Sequence, residues 1–265
     1  MRGGRPRLSQ HFLHDRRTAR RIAATLRAPP GARVLEIGPG QGALTGPLLD
    51  QGWRVTAVEL DEELAARLER RWPDRELTVV RADILDHELE GGEPWCVIGN
   101  LPYAITSPIV FHLLEQAGRV AVPEIVIMVQ KEVAVRLAAA PGSRAYGALT
   151  VGVRLAAEVE VLFDVGPGQF KPPPKVRSSV VRIVPGGPAG LGEERRERVR
   201  ELVRTAFGQR RKQVKNSLKD EPWNLAGEQG ARVQNRTGID LRRRPETLSL
   251  EEWLRLEEAL KDEAS

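Results

Sequence analysis

Leu35-Glu36-Ile37-Gly38-Pro39-Gly40-Gln41-Gly42-Ala43 sets a glycine cluster directly after a short apolar run, and the junction reads as the turn from a first β-strand into a first helix. Glycine admits backbone angles closed to other residues, so main-chain N–H groups can approach a ligand at a helix start. Gly38, Gly40 and Ala43 also satisfy the dinucleotide fingerprint G-x-G-x-x-G/A. By itself the loop suits a nucleotide of the NAD type or S-adenosylmethionine equally well.

Outward from this loop, β-branched runs alternate with helical patterns. Strands are expected at Arg33–Gly38, Arg54–Glu59, Leu77–Arg81, Trp95–Asn100, Glu124–Gln130, Glu158–Phe163 and Ser179–Val184. Such alternation predicts an α/β fold, a mostly parallel sheet with helices on both faces. No helix separates the last two strands, which are joined by a long irregular connection from Asp164 to Arg177. The seven-stranded sheet should therefore end antiparallel. Ser107-Pro108 reads as an N-cap followed by a helical proline, and Ser249-Leu250-Glu251-Glu252 as a capping box. Pro185-Gly186-Gly187-Pro188-Ala189-Gly190 breaks all periodicity. The expected organisation is a catalytic domain over 1–185 with a basic extension over 1–30, a linker over 186–192, and a small all-α domain over 193–265. Glu193–Phe207 and Leu250–Leu260 are amphipathic, and no strand pattern intervenes.

The formal charge is +5 and the pI about 9.7. Residues 1–30 hold eight arginines against Asp15, and residues 195–219 hold ten Arg/Lys against Glu197 and Glu201. Two basic blocks flanking a balanced centre suit a polyanionic partner, although charge runs also mark plain solvated faces. With 34 arginines to 7 lysines, bidentate phosphate contacts are favoured. The single cysteine, Cys96, sits in an apolar run and excludes a disulfide framework. The scattered His11, His14, His87 and His112 give no metal-ligand spacing. No apolar run approaches the ~20 residues of a membrane span, and the basic N-terminus lacks a signal-peptide core, so a cytoplasmic location is expected.

Glu59, ending the second strand, can accept both ribose hydroxyls of an adenosine, and Asp83 after the third can accept from an adenine amine or cap a turn. Asn100-Leu101-Pro102-Tyr103 closes the fourth strand. An exocyclic adenine amine is a poor nucleophile because its lone pair is delocalised. The Asn100 side-chain oxygen and the Leu101 carbonyl could each take one N6 hydrogen and aim that pair at a sulfonium methyl. Pro102 fixes the backbone, and Tyr103 offers a stacking face to an extruded base. In Gln169-Phe170-Lys171-Pro172-Pro173-Pro174-Lys175, a stiff extended loop could present Phe170 to the base's other face, with Lys171 and Lys175 near phosphates. An exposed proline-rich turn is the bland alternative.

These motifs, with Gln10-His11-Phe12-Leu13, Val58-Glu59, Ser178-Ser179 and the segment Thr205-Ala206-Phe207-Gly208-Gln209-Arg210-Arg211-Lys212, resemble the ribosomal RNA adenine N6,N6-dimethyltransferase family in its bacterial small-subunit branch. The resemblance implies a Rossmann-like S-adenosylmethionine methyltransferase sheet. It implies cofactor contacts from Gln10, His11, Leu13, Glu36, Gly38, Gly40, Gly42, Glu59, Leu60, Asp83, Ile84 and Asn100. It further implies Tyr103 and Phe170 sandwiching the adenine, and rRNA contacts from Arg210, Arg211, Lys212 and Lys215. Four methyl transfers onto two adjacent adenosines near the 3′ end of 16S rRNA would follow, by a monomer on a pre-assembled 30S particle without a metal. His11 replaces the family's usual asparagine, and Gln41 a common leucine. Alternatives are the resistance-type enzyme of large-subunit rRNA, an N-P-P-Y methyltransferase of glutamine or DNA adenine, and an assembly factor with secondary methylation. Thr205–Lys212 argues against the first and Leu101 against the second.

Overall fold

A computed structural model describes residues 11–188 and 191–263. The elements run β1 (Phe12–Leu13), α1 (Arg16–Ala23), β2 (Arg33–Ile37), α2 (Thr45–Asp50), β3 (Arg54–Glu59), α3 (Glu62–Arg71), β4 (Leu77–Arg81), β5 (Trp95–Asn100), α4 (Thr106–Ala117) and β6 (Ile125–Gln130). They continue with α5 (Lys131–Leu137), α6 (Ala148–Arg154), β7 (Ala157–Val165), β8 (Phe170–Lys171), β9 (Ser178–Pro185), α7 (Glu193–Gly208), α8 (Val214–Ser217), α9 (Glu228–Thr237) and α10 (Leu250–Glu263).

Seven strands form one sheet in the order β4-β3-β2-β5-β6-β9-β7. Strands β2 to β6 pair in parallel, with Arg33 opposite both Arg54 and Trp95, and β9 runs antiparallel to β6. The α/β class, the strand positions and the antiparallel end are as the alternation predicts. Strand order reverses at β2, which has β3 on one side and β5 on the other, so a crevice opens above their carboxyl ends. A second sheet escapes the pattern: β1 and β8 are two-residue strands paired antiparallel, Leu13 opposite Phe170.

The chain packs as two compact units, Met1–Ala134 with Val159–Pro185, and Val135–Glu158 with Gly186–Ser265. The division at Pro185 coincides with the Pro/Gly break, but the first unit is not the unbroken 1–185 expected. Tyr146, Val151 and Leu155 are buried in one core with Val199, Leu202 and Trp253, which draws Val135–Glu158 into the helical unit. The sheet unit has its own core, including Ile22, Leu48, Ile98, Met128 and Val180.

Helix ends follow the capping expectation in one place and depart from it in another. The Ser249 N–H donates to Glu252 at 2.8 Å and the Glu252 N–H donates to Ser249 Oγ at 3.2 Å, a complete capping box. At α4 the cap position is Ile105, and Ser107 already lies inside the helix. Thr106 instead closes the turn, its hydroxyl donating to the Pro102 carbonyl at 3.1 Å.

Candidate active site

A cavity of about 820 Å³ lies over the strand-order reversal, within the sheet unit. Its wall includes the loop after β2 (Gly38, Gly40), the end of β3 (Glu59, Leu60), the turn after β4 (Asp83, Ile84), and Asn100 to Tyr103 after β5. His11 and Leu13 close it from the N-terminal segment. Gln10 lies outside the described residues.

Gly38 and Gly40 have φ of +59° and +57°, angles that disfavour any side chain, and a Cβ on Gly40 would meet the Phe12 ring at 2.9 Å. The third glycine does a different job. Gly42 is not in the cavity wall, and a Cβ there would strike Trp72 and Leu68 of the α3 region at 2.6 and 2.8 Å. Gly42 therefore packs the loop against a helix and does not face a ligand.

Glu59 accepts the Gly40 N–H at 2.9 Å through Oε2 and the Asp61 N–H at 2.9 Å through Oε1, which ties the glycine loop to the end of β3. Each carboxylate oxygen keeps a further lone pair for a ribose hydroxyl. Asp83 caps a turn, its Oδ1 accepting the Leu85 N–H at 3.0 Å, and the residue also lines the cavity. Glu36 is fully buried and accepts from Thr45 Oγ1 at 2.6 Å. Burial pushes its carboxyl up to about 8, and the nearby Glu59 charge adds to the rise.

The Asn100 side-chain N–H donates to the His11 carbonyl at 3.3 Å, which turns the amide so that Oδ1 remains an acceptor. Leu101 hangs on β6 through its N–H, 3.1 Å from the Met128 carbonyl. The Tyr103 hydroxyl meets Ser178 Oγ at 2.9 Å, and Ser178 is fully buried at the start of β9. The His11 ring stands 5.9 Å from the Tyr103 ring, tilted by 32°. Its Nδ1 lies 2.8 Å from the Pro172 carbonyl. A carbonyl can only accept, so that nitrogen carries the hydrogen.

The expected aromatic sandwich is absent from this arrangement. Phe170 is 2% exposed, belongs to the hydrophobic core and lies outside the cavity wall, because pairing of β8 with β1 turns it inward. Lys171 and Lys175 on the same loop are exposed. In the helical unit Arg211 and Lys212 are exposed and Lys215 half-buried, whereas Arg210 donates to the Arg144 and Tyr146 carbonyls at 2.5 and 3.1 Å. Arg210 is a tie within its own unit, not a free cation. Among the described residues no helix is long and apolar enough to cross a membrane, and no group of three or more His, Cys, Asp or Glu is placed to hold a metal.

The donor set fits S-adenosylmethionine. Glu59 and Asp83 would supply acceptors for ribose and adenine, the half-exposed Leu60 and the cavity-lining Ile84 would offer apolar contact to the base plane, and the Gly38–Gly40 backbone would leave room for the amino-acid end. When bound, this cofactor supplies an electrophilic sulfonium methyl. A reversing parallel sheet, a glycine turn after its central strand and an Asn-Leu-Pro-Tyr edge define a Rossmann-like S-adenosylmethionine-dependent methyltransferase. The family model described as ribosomal RNA adenine dimethylase matches residues 1–262, and the chain belongs to that family. It is an enzyme that uses S-adenosylmethionine to dimethylate rRNA adenine.

A relative from Aeromonas hydrophila named ribosomal RNA small subunit methyltransferase A is 41% identical, over 98% of this chain and 94% of its own. One of the same name from Leptothrix cholodnii is 42% identical, over 98% and 93%. Among solved structures, a dimethyladenosine transferase from Plasmodium falciparum superposes with a TM-score of 0.76 at 25% identity, covering 93% of this chain and 96% of that one. The 23S rRNA methyltransferase ErmE gives 0.72 at 31% identity, covering 94% and 99%.

Proposed function

We propose that the chain transfers methyl groups to N6 of two adjacent adenosines near the 3′ end of 16S rRNA, acting in the cytoplasm as a monomer on a pre-assembled 30S particle. The observation that carries this reading is the Asn100 amide, which lines a cavity of about 820 Å³ and whose N–H is held by the His11 carbonyl, leaving Oδ1 as an acceptor. Asn100 Oδ1 and the Leu101 carbonyl would accept the two N6 hydrogens, localising the nitrogen lone pair for in-line attack. Each transfer forms an N–CH3 bond, breaks an S–CH3 bond and releases one proton from the amine to water. The Tyr103 ring, its hydroxyl tied to Ser178, would stack on the extruded base for about 1–3 kcal/mol. In this reading the sheet unit does the chemistry and the helical unit reads rRNA through Arg211, Lys212 and Lys215, with Lys171 and Lys175 near the target's phosphates.

Names of the relatives favour the small subunit over the large-subunit alternative, for which the ErmE likeness is the motive. The test is mass spectrometry of rRNA extracted from small- and large-subunit particles after their incubation with the protein and labelled cofactor. Two dimethyladenosines confined to small-subunit rRNA are expected, and labelling of large-subunit rRNA alone would overturn the reading. Asn100→Ala should lower turnover by about 100-fold with cofactor affinity little changed. Near-normal dimethylation by that variant would remove Asn100 from the chemistry.

A further inference from the structure

Helix α1 carries two of its four arginines against the electrostatic preference of a helix. The positive end of the helix dipole favours acids in the first turn, yet α1 has none there and opens instead with Arg16 and Arg17. Its N-cap, Asp15, is committed to the Thr18 N–H at 2.7 Å. The helix is firmly seated, with Ala19, Ile22 and Ala23 buried. Arg16, Arg17, Arg20 and Arg21 are all exposed, and at 3.6 residues per turn they fall within an arc of about 140°. Arg21 is used locally, its guanidinium 3.6 Å from the centre of the Phe163 ring. Arg16, Arg17 and Arg20 make no side-chain hydrogen bond or ion pair among the described residues; the carboxylate of Asp15 reaches Arg17 only as a field.

The segment that leads into this helix lines the cavity. Residues His11 to Leu13 immediately before α1 line the wall, and Phe12 is paired with exposed Lys171. Folding gives no reason for two unpaired arginines, Arg16 and Arg17, in the first turn of a helix, with unpaired Arg20 one turn along on the same face. Positions that break a local rule without a structural gain are expected where function requires them.

We propose that the Arg16, Arg17 and Arg20 face of α1 binds backbone phosphates of the rRNA beside the target adenosine. The inference rests on the rRNA reading above and adds a surface outside the cavity. Guanidinium groups match phosphate oxygens in bidentate fashion, and each neutralised phosphate releases counterions, so the contacts are visible in salt dependence.

The test compares the full-length protein with Arg16→Gln/Arg17→Gln/Arg20→Gln and with Arg16→Glu/Arg17→Glu, measuring affinity for protein-free small-subunit rRNA across a salt series. The triple variant should weaken binding at least tenfold at low salt. It should also reduce the slope of log affinity against log salt by about two to three, since each phosphate contact in duplex contributes about 0.9. S-adenosylhomocysteine affinity should not change. Arg16→Glu/Arg17→Glu should melt at or above the parent temperature while binding rRNA worst of all, an opposition of signs that a structural role does not produce. An unchanged slope in the triple variant overturns the proposal. So does weakening seen only on the assembled particle, which would assign the face to a ribosomal protein. If the parent binds neither the protein-free rRNA nor the assembled 30S particle, the underlying substrate reading fails instead.

Discussion

Helix α7 carries five arginines and α1 four, and all five in α7 meet a carboxylate. Arg196, Arg198 and Arg200 pair with Glu193, Glu194 and Glu197 on the same helix, while Arg195 and Arg198 converge at 2.9 and 2.7 Å on Glu257 of α10, which is 2% exposed. Glu193 and Glu194 occupy the first turn, as the helix dipole prefers. Helix α1 has no acid in its first turn, and none of its arginines is in an ion pair among the described residues. Two arginine-rich helices thus differ in kind: in α7 the charge is consumed in holding helices together, and in α1 it is left for something outside the chain.

Four measurements sharpen or break that contrast. The extreme of the paired class is Arg182, buried in the sheet unit, where Nε meets Glu124 at 3.0 Å, Nη1 meets Glu160 at 3.0 Å and Nη2 donates to the Thr25 carbonyl at 2.6 Å. Arg182→Ala leaves the Glu124 carboxylate buried without its counter-charge. Denaturant unfolding should show a loss of about 3–5 kcal/mol, and a loss below 1 would mean that burial of this pair is incidental.

Glu257→Ala should cost the helical unit about 2–3 kcal/mol, because two arginine anchors lose their common acceptor. If unfolding of this variant matches the parent, α7 is no more committed to folding than α1. Glu36 tests a buried carboxylate that has Thr45 but no arginine. Its carboxyl sits at about 8 in the folded state against 4.5 ordinarily, so the folded state holds the proton more tightly. Its contribution is complete below pH 4.5 and is lost as pH rises towards 8. Glu36→Gln should flatten the stability profile of the cofactor-free protein over that window. A profile parallel to the parent's would place the ionised carboxylate in contact with water. Smallest of all, Glu197→Gln should change stability by less than about 1 kcal/mol, since its pairs with Arg200 and Arg204 are at the surface.

The glycine turn, the strand-end acids and the Asn100–Tyr103 edge were legible because each depends on local chemistry: a φ, a β-branched run, a proline. Features set by distant pairing were not. Phe170 reads as a loop aromatic, and only its pairing with Leu13 turns it into the core. Gly42 satisfies a ligand-loop pattern, but Trp72 fills the space beside it. Arg210 belongs to a basic run, yet two carbonyls from residues 144 and 146 claim it. The Tyr103–Ser178 contact could have been suspected from two motifs of one site, although nothing in their spacing says that the hydroxyls touch. The migration of Val135–Glu158 to the helical unit has no local signature either, since an apolar helix face does not say which core it will join.

The link between β1 and β8 also sets an order of events during synthesis. His11 is among the earliest described residues to leave the ribosome, and its partner Pro172 lies 161 positions later. Until β8 has been made, the N-terminal segment has no strand to pair with and the wall formed by His11 and Leu13 cannot close. Contacts of such long separation form late, after the local ones. A nascent chain can therefore assemble β2 to β6 while its cofactor cleft is still open on one side, and the cleft is completed only when the sheet unit is nearly finished.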